Sequence, residues 1–272
     1  MQKMTLAIVI PCYNEANRLP VMSYKSFLNK ASDVSIFFIN DGSSDETGDL
    51  IQEMGREFNE QVHLISLKKN KGKGNAVFEG FHFILNNHDF NKIAFLDADL
   101  ATSLEECYRL TNFVEGKIHF AFGSRILKLD NNIKRKWYRF FFGRIVATAI
   151  SKSLELSLYD SQCGCKVFDP SLGDKIFVEP FISKWLFDVE IFFRLRREYG
   201  KQKLKELVKE IPLGVWIDTP DSRVSFLYFF KILFNPSALR YPLSTAHVKS
   251  SRNISNAKAV SFLPLIFSAF CM

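Results

Sequence analysis

Asp97 and Asp99 stand one residue apart at the end of the apolar run Ile93-Ala94-Phe95-Leu96. The apolar run predicts a buried strand, and Leu100-Ala101-Thr102-Ser103 predicts a turn into a helix. Alternate residues of an extended segment point to one face, so both carboxylates can converge on one object. Hard acidic oxygens in this position suit Mg²⁺ or Mn²⁺, which bind few carboxylates and take further oxygens from substrate phosphates. Alone, an Asp-x-Asp also fits a solvated loop. Three other segments add weight. Pro11-Cys12-Tyr13-Asn14-Glu15 leaves the first apolar run, and Asn40-Asp41-Gly42-Ser43-Ser44-Asp45 leaves the second. An aromatic such as Tyr13 can stack on a base, and a carboxylate such as Asp41 can accept from a base N–H or a ribose hydroxyl. Lys71-Gly72-Lys73-Gly74 puts a cation and backbone N–H groups at a helix N-terminus, where anions are favoured. Each segment alone is ordinary turn chemistry. All four at consecutive strand ends describe a nucleotide site without a glycine-rich phosphate loop.

The elements that must hold these residues alternate along the first 125 positions. Apolar runs predict strands at 6–10 (ended by Pro11), 34–39, 62–67 and 93–96. Helices are predicted from 15 to about 30, from a Ser43/Glu46 capping box to about 59, and over 75–86. Strands separated by such helices form βαβ units and a parallel sheet, whose ligands bind beyond the carboxyl ends of the strands. Tyr13, Asp41, Lys73 and Asp97 all fall there. After Arg125 the character changes. Residues 134–144 mix cations with aromatics and open a helix to about 156; 183–199 is another helix; 204–217 holds short strand-like runs. Beyond Ser244, Ser, Asn and Lys dominate, which predicts one domain over 1–243 and a poorly ordered tail over 244–272.

Of 272 residues, 47% are hydrophobic and 24% charged, enough for a substantial core and unlike a disordered chain. The net charge of +7 favours anionic partners. Five scattered cysteines without secretory context predict reduced thiols, and Cys163-Gly164-Cys165 lacks the second pair of a zinc site. The first strand begins too early for a signal peptide, and no run reaches the roughly 18 apolar residues of a spanning helix. The five histidines have no metal-ligand spacing and read as structural or surface residues. No nucleic-acid motif accompanies the basic charge, so nucleic acid is not an expected partner.

These residues resemble family 2 glycosyltransferases, whose members adopt the GT-A fold, a Rossmann-like α/β architecture with a mixed, mostly parallel sheet flanked by helices. The match continues in order through Gly123-Ser124-Arg125, Arg139, Gly143-Arg144 and the run from Asp160 to Phe168. Trp185-Leu186-Phe187-Asp188-Val189-Glu190, Glu210-Ile211-Pro212 and Trp216 follow. The series is similar to the branch holding dolichyl-phosphate glucosyltransferases and bacterial polyprenyl-phosphate relatives. The resemblance implies Pro11, Tyr13, Glu15 and Asp41 around uracil and ribose, with Lys73 near the nucleotide. It implies Asp97 and Asp99 on a divalent metal and the diphosphate. Arg125, Arg139 and Arg144 then meet the acceptor phosphate or donor diphosphate, and Asp188 stands where many members place a catalytic carboxylate. Asn40 and Cys165 depart from the usual Asp and Phe of the branch, and the N-terminal membrane helix of eukaryotic members is absent from this sequence.

The resemblance implies inverting transfer of a hexose, glucose foremost, from a UDP-sugar to polyprenyl phosphate, with Mg²⁺ or Mn²⁺ as cofactor. The alternative is transfer to a hydroxyl of a growing glycan, which needs a base, for which Asp188 is the candidate. Outside this class stand a nucleotidyltransferase, which would release pyrophosphate, and a non-catalytic nucleotide-binding protein. An NAD-linked oxidoreductase is disfavoured, because no G-x-G-x-x-G follows the first strand. Segments 134–144 and 226–243 suit either peripheral contact with a membrane or packing on the core. The expected location is cytoplasmic, at the inner face of the membrane, which leaves the Asn253-Ile254-Ser255 sequon idle.

Overall fold

The computed structural model describes residues 5–126, the backbone of 132–134, residues 144, 147 and 148, and residues 150–184 and 186–217. The chain divides into a unit of Met1–Thr219 and a second unit of Pro220–Met272. The second unit, with segment 226–243 and the tail from 244, lies outside the described residues, as does most of 134–144.

In chain order the elements are β1 (Leu6–Cys12), α1 (Val21–Leu28), β2 (Val34–Asn40), α2 (Thr47–Glu57), β3 (Val62–Ser66), α3 (Lys73–Asn87) and β4 (Lys92–Leu96). Then come α4 (Leu104–Thr111), β5 (Phe120–Ser124), β6 (Asn132–Lys134), β7 (Cys165–Phe168), α5 (Pro170–Ile176), α6 (Phe187–Leu207), β8 (Val208–Pro212) and β9 (Val215–Ile217). Seven strands form one sheet in the order β3-β2-β1-β4-β7-β5-β8, and β6 pairs with β9 apart from it. All pairs in the large sheet are parallel except those of β7, which runs antiparallel to both β4 and β5. This is the mixed, mostly parallel sheet with flanking helices that the resemblance implied.

Strand alternation divides the core into two layers. Leu6, Ile8, Ile10, Ile36, Phe38, Ala94 and Leu96 pack with Tyr24 and Phe27 of α1, Ile51 and Met54 of α2, and Leu104 and Leu110 of α4. On the opposite face, α3 approaches so closely that a Cβ on Gly80 would lie 2.5 Å from Val9 Cγ1. That layer absorbs much of the chain's phenylalanine. Phe120 stacks on Phe168 at 4.4 Å, Phe81 on Phe177 at 3.8 Å, and Phe95 meets Phe187 edge-on at 5.3 Å.

Several boundaries differ from the sequence expectation for local reasons. β1 runs through Pro11 to Cys12. Cys12 O accepts from Asp41 N on the β2 side, so Pro11's missing N–H faces the β4 side, where pairing has stopped at Val9↔Phe95. α1 begins at Val21, because residues before Pro20 form a turn in which Arg18 N and Leu19 N both donate to Glu15 O. The Ser43/Glu46 box does not form: Ser43 Oγ accepts from Asn14 N at 2.9 Å, and α2 opens at Thr47, whose N–H meets Asp45 Oδ1. The helix expected over 183–199 starts at Phe187 and is broken at Gly200 (φ 72°), after which helical backbone resumes to Leu207. Cys12, Cys107, Cys163 and Cys165 are buried free thiols. Among the described residues no helix is long and apolar enough to cross a membrane.

Candidate active site

The turn after β4 is built by four contacts. Asp97 N donates to Gly164 O at 3.1 Å, Leu100 N to Asp97 O at 3.2 Å, and Ala101 N to Asp99 Oδ1 at 3.1 Å. Leu100 takes φ 50°, which turns the chain away from the strand. From α1, the buried Tyr24 hydroxyl donates to Ala98 O at 2.9 Å and so pins the residue between the two aspartates. Burial, then Cys12 and the nearby carboxylates, push that phenol well above its usual range. Gly164 also serves the turn through its missing side chain. A Cβ there would lie 2.1 Å from Asp97 Oδ2, so only glycine leaves the carboxylate where it is.

Two ammonium groups converge here. Lys73, the first residue of α3, puts Nζ 2.6 Å from Asp97 Oδ1, and the same Nζ lies 5.2 Å from the Phe95 ring centroid. Lys166 lies directly across from Phe95 in the β4–β7 ladder. Its Nζ is 2.6 Å from Asp188 Oδ1 and 2.6 Å from Cys163 O. Burial raises the Asp97 carboxyl, opposed by Lys73 and reinforced by Asp99 and Asp188. Burial also works against the Lys73 charge, but Asp97 and Asp188 outweigh it and hold the amine above 10.5. Two ammoniums thus face three carboxylates.

The loops after β1 and β2 are laced together. Asn14 (φ 49°) donates its N–H to Ser43 Oγ and accepts from Ser44 N, while Glu15 N meets Thr47 Oγ1 and Ala16 N meets Asp45 Oδ2. The Glu15 carboxylate is buried against Arg18 at 2.6 Å. Asp41 is 2% exposed and accepts from Lys71 N at 2.7 Å and Gly72 N at 2.8 Å, which fixes the loop that delivers Lys73. Burial raises its carboxyl while those two bonds oppose the rise. Pro11 is buried, whereas Tyr13 is 38% exposed at the mouth of the lacing.

The arginines belong to a second network. Arg125 clamps Asp160 with Nε–Oδ2 at 2.6 Å and Nη2–Oδ1 at 2.7 Å, and it lies over Trp216 at 5.3 Å. Burial opposes its charge, but Asp160 more than offsets this, with a smaller contribution from Asp97. Beneath it, Glu210 of β8 accepts from Asp160 N at 2.7 Å and Tyr159 N at 2.9 Å. Arg144 donates to Tyr159 O at 2.7 Å and stacks over the Tyr159 ring at 3.8 Å. Arg139 lies outside the described residues.

The structure therefore brings Lys73, Asp97, Asp99 and Asp188 into one cluster with Arg125 close enough to feel Asp97. Tyr24, Gly164 and Lys166 complete it, and Asp160 and Glu210 hold Arg125 in the second network, although the sequence reading gave none of these a role. Lys166 carried the clearest signal, a lone charge in the otherwise apolar run Cys165–Phe168.

A divalent cation fits these residues. Asp97 and Asp99 offer hard oxygens, a cationic group already stands against Asp97 Oδ1, and the missing side chain of Gly164 gives the Asp97 carboxylate the room it occupies. Among the described residues no group of three or more His, Cys, Asp or Glu closes around a metal, so further ligands must come from elsewhere.

A sheet of this order with an Asp-x-Asp turn at the end of its fourth strand is the GT-A architecture that the resemblance implied. The family model for Glycosyl transferase family 2 matches residues 7–177, and the chain belongs to that family. It stands near the dolichyl-phosphate glucosyltransferase branch. It is 29% identical over 238 residues to the dolichyl-phosphate β-glucosyltransferase of Dictyostelium discoideum, covering 80% of this chain and 68% of the relative. The Homo sapiens protein of the same name is 29% identical over 208 residues, covering 69% and 62%. The polyprenol monophosphomannose synthase of Mycolicibacterium smegmatis is 26% identical over 188 residues, covering 69% and 70%. The chain thus spans about two thirds of the length of these relatives. In fold it is similar to mannosyl-3-phosphoglycerate synthase from Rubrobacter xylanophilus, with TM-score 0.60 and 16% identity over 79% of this chain and 68% of that one. It is likewise similar to a glucosyl-3-phosphoglycerate synthase from Mycobacterium tuberculosis in complex with Mn²⁺, UDP-glucose and phosphoglyceric acid, with TM-score 0.58 and 15% identity over 80% and 73%.

Proposed function

We propose that the protein transfers a hexose, glucose foremost, from a UDP-sugar to a polyprenyl phosphate with inversion at the anomeric carbon. The observation that carries this reading is the cluster at the end of β4, where two carboxylates and Lys73 gather within electrostatic reach of Arg125. The names of the relatives support the lipid-phosphate acceptor, and the Mn²⁺ in the structural neighbour supports a divalent metal.

In this reading Tyr13 stacks on uracil, with Pro11, Glu15 and Asp41 around base and ribose. Asp97 and Asp99 hold Mg²⁺ or Mn²⁺, which when bound supplies a Lewis acid toward the leaving diphosphate. Lys73 adds an ammonium on the same side. Arg125, braced by Asp160, and Arg144, braced by Tyr159, meet the acceptor phosphate or the donor diphosphate, with Arg139 as a third cation. A phosphate monoester has its second pKa near about 6 and is already nucleophilic at neutral pH, so orientation matters more than a base. Asp188 fits this view, because its Oδ1 is already engaged by the buried Lys166 ammonium, a contact that serves the frame of the site. Asp188 remains the candidate base if the acceptor is a hydroxyl. The acceptor and the net charge of +7 support work at the inner face of a membrane.

The test is transfer from radiolabelled UDP-glucose to polyprenyl phosphate with Mn²⁺ or Mg²⁺. The expected result is label in the lipid phase, lost with EDTA or Asp99→Ala. Donor binding without lipid labelling overturns the polyprenyl reading and puts a hydroxyl acceptor first.

A further inference from the structure

Lys73 stands where the metal carboxylate needs a cation. Its Nζ is 2.6 Å from Asp97 Oδ1, with side chains 27% and 32% exposed. The position is imposed by backbone. Asp41 holds the N–H groups of Lys71 and Gly72, and Gly72 takes φ 91° against the Lys184 side chain. Gly74 donates to Lys184 O at 3.0 Å, and a Cβ on it would lie 2.8 Å from Phe187 Cβ. The stem then passes Phe95 and Phe187, whose ring centroids lie 5.2 and 6.0 Å from Nζ. The other nearby ammonium cannot take its place, because Lys166 is fully buried on Asp188 and Cys163 O.

We propose that Lys73 is the resident counter-ion of Asp97, which keeps a divalent cation off that carboxylate until a nucleotide diphosphate draws the ammonium away. An ammonium and a divalent cation on one carboxylate oxygen repel by several times thermal energy, even at an effective dielectric constant of about 20. A diphosphate relieves the conflict by offering Lys73 another anion and the metal further oxygens. The lack of a three-residue metal cluster among the described residues agrees with a metal that arrives with phosphate. Linkage makes the effect reciprocal: nucleotide tightens metal, and metal tightens nucleotide.

This inference rests on reading Asp97 and Asp99 as metal carboxylates. The test is Mn²⁺ binding to the full chain, followed by electron paramagnetic resonance, without nucleotide and with UDP. Lys73→Met is expected to bind Mn²⁺ alone at least about tenfold tighter than wild type, and Lys73→Arg to behave as wild type. UDP is expected to tighten Mn²⁺ by more than about tenfold in wild type and by less in Lys73→Met. Adding Asp97→Asn to Lys73→Met should erase the gain. Lys73→Gln repeats the test if the Met variant melts early. Equal affinity of wild type and both neutral variants for Mn²⁺ alone overturns the inference, as does an equal gain in Lys73→Arg. If Mn²⁺ binds no form even with UDP, the metal reading falls and the inference with it; if UDP recruits Mn²⁺ but the variants change nothing, only the Lys73 inference falls.

Discussion

Two lysine–aspartate pairs hold their ammoniums over the same Phe95 ring with the same N–O distance, 2.6 Å, yet they are built for different tasks. Lys73 and Asp97 come from a helix start and a strand end, and their side chains are 27% and 32% exposed. Lys166 and Asp188 come from the interior of β7 and the first turn of α6, and their side chains are 0% and 8% exposed. The Lys73–Asp97 pair keeps part of its side-chain surface in solvent, so losing one partner leaves a charge that water can still reach. A buried pair is locked by the charge each member would leave behind, about 3–5 kcal/mol when one is removed. Burial, and not distance, separates the pair that can take part in binding from the pair that holds the frame.

The largest expected effect comes from breaking the inner pair. Lys166→Met leaves the buried Asp188 carboxylate without its ammonium, and Tm should fall by roughly 6–20 °C in thermal denaturation. Lys166→Met with Asp188→Leu should recover most of that loss; equal melting of single and double variants would remove the distinction between the pairs. Asp188→Asn also separates the acceptors, since loss of transfer by about 10²-fold or more, measured below its Tm, would favour a hydroxyl acceptor. Breaking the outer pair should do the reverse. Asp97→Asn is expected to lower transfer by about 10²-fold or more while Tm moves by no more than about 3 °C. Gly164→Ala is a smaller intervention at the same carboxylate. The Cβ would displace Asp97 Oδ2, and transfer should drop by about 10- to 100-fold with weaker Mn²⁺ binding in the presence of UDP.

The smallest effect lies away from both pairs. His63 stacks on Phe37 at 4.5 Å with His88 6.1 Å away, and burial, then His88, hold its imidazole below 6.5. A histidine lowered in the folded state binds its proton more readily when unfolded. Its contribution is therefore complete above about pH 6.5 and is lost as pH falls through the folded value. His63→Phe should flatten the decline of Tm between pH 7 and 5 by about 1–2 °C without altering transfer. If the flattening instead follows Lys73→Met, acid sensitivity belongs to the outer pair.

The outer pair was readable from sequence because each member ends a local pattern. Asp97 terminates an apolar run, and Lys73 stands between glycines before a helix. The inner pair was not, because its geometry comes from a strand that enters the sheet out of order. Nothing local marks Cys165–Phe168 as the neighbour of β4, and its register alone sets Lys166 opposite Phe95. Asp188 was picked out by resemblance without its partner. The loop lacing escaped notice for a similar reason: Ser43 looked like a cap for its own helix, but its hydroxyl is used by Asn14 from another loop. Tyr24 falls inside the helix predicted from 15 to about 30, and only the fold carries its hydroxyl to Ala98.

The late entry of β7 also sets an order of assembly. Once Leu96 has been synthesised, β1–β4 can pair among themselves, but the far side of β4 stays an open, apolar edge until Phe168 follows. At about 5–20 residues per second on the ribosome that edge is bare for several seconds, long enough to recruit a stray strand. A fragment ending anywhere between Asp97 and Gly164 keeps the edge permanently open and lacks the carbonyl that receives Asp97 N. A nascent chain therefore completes its aspartate turn only after a stage in which that edge is open.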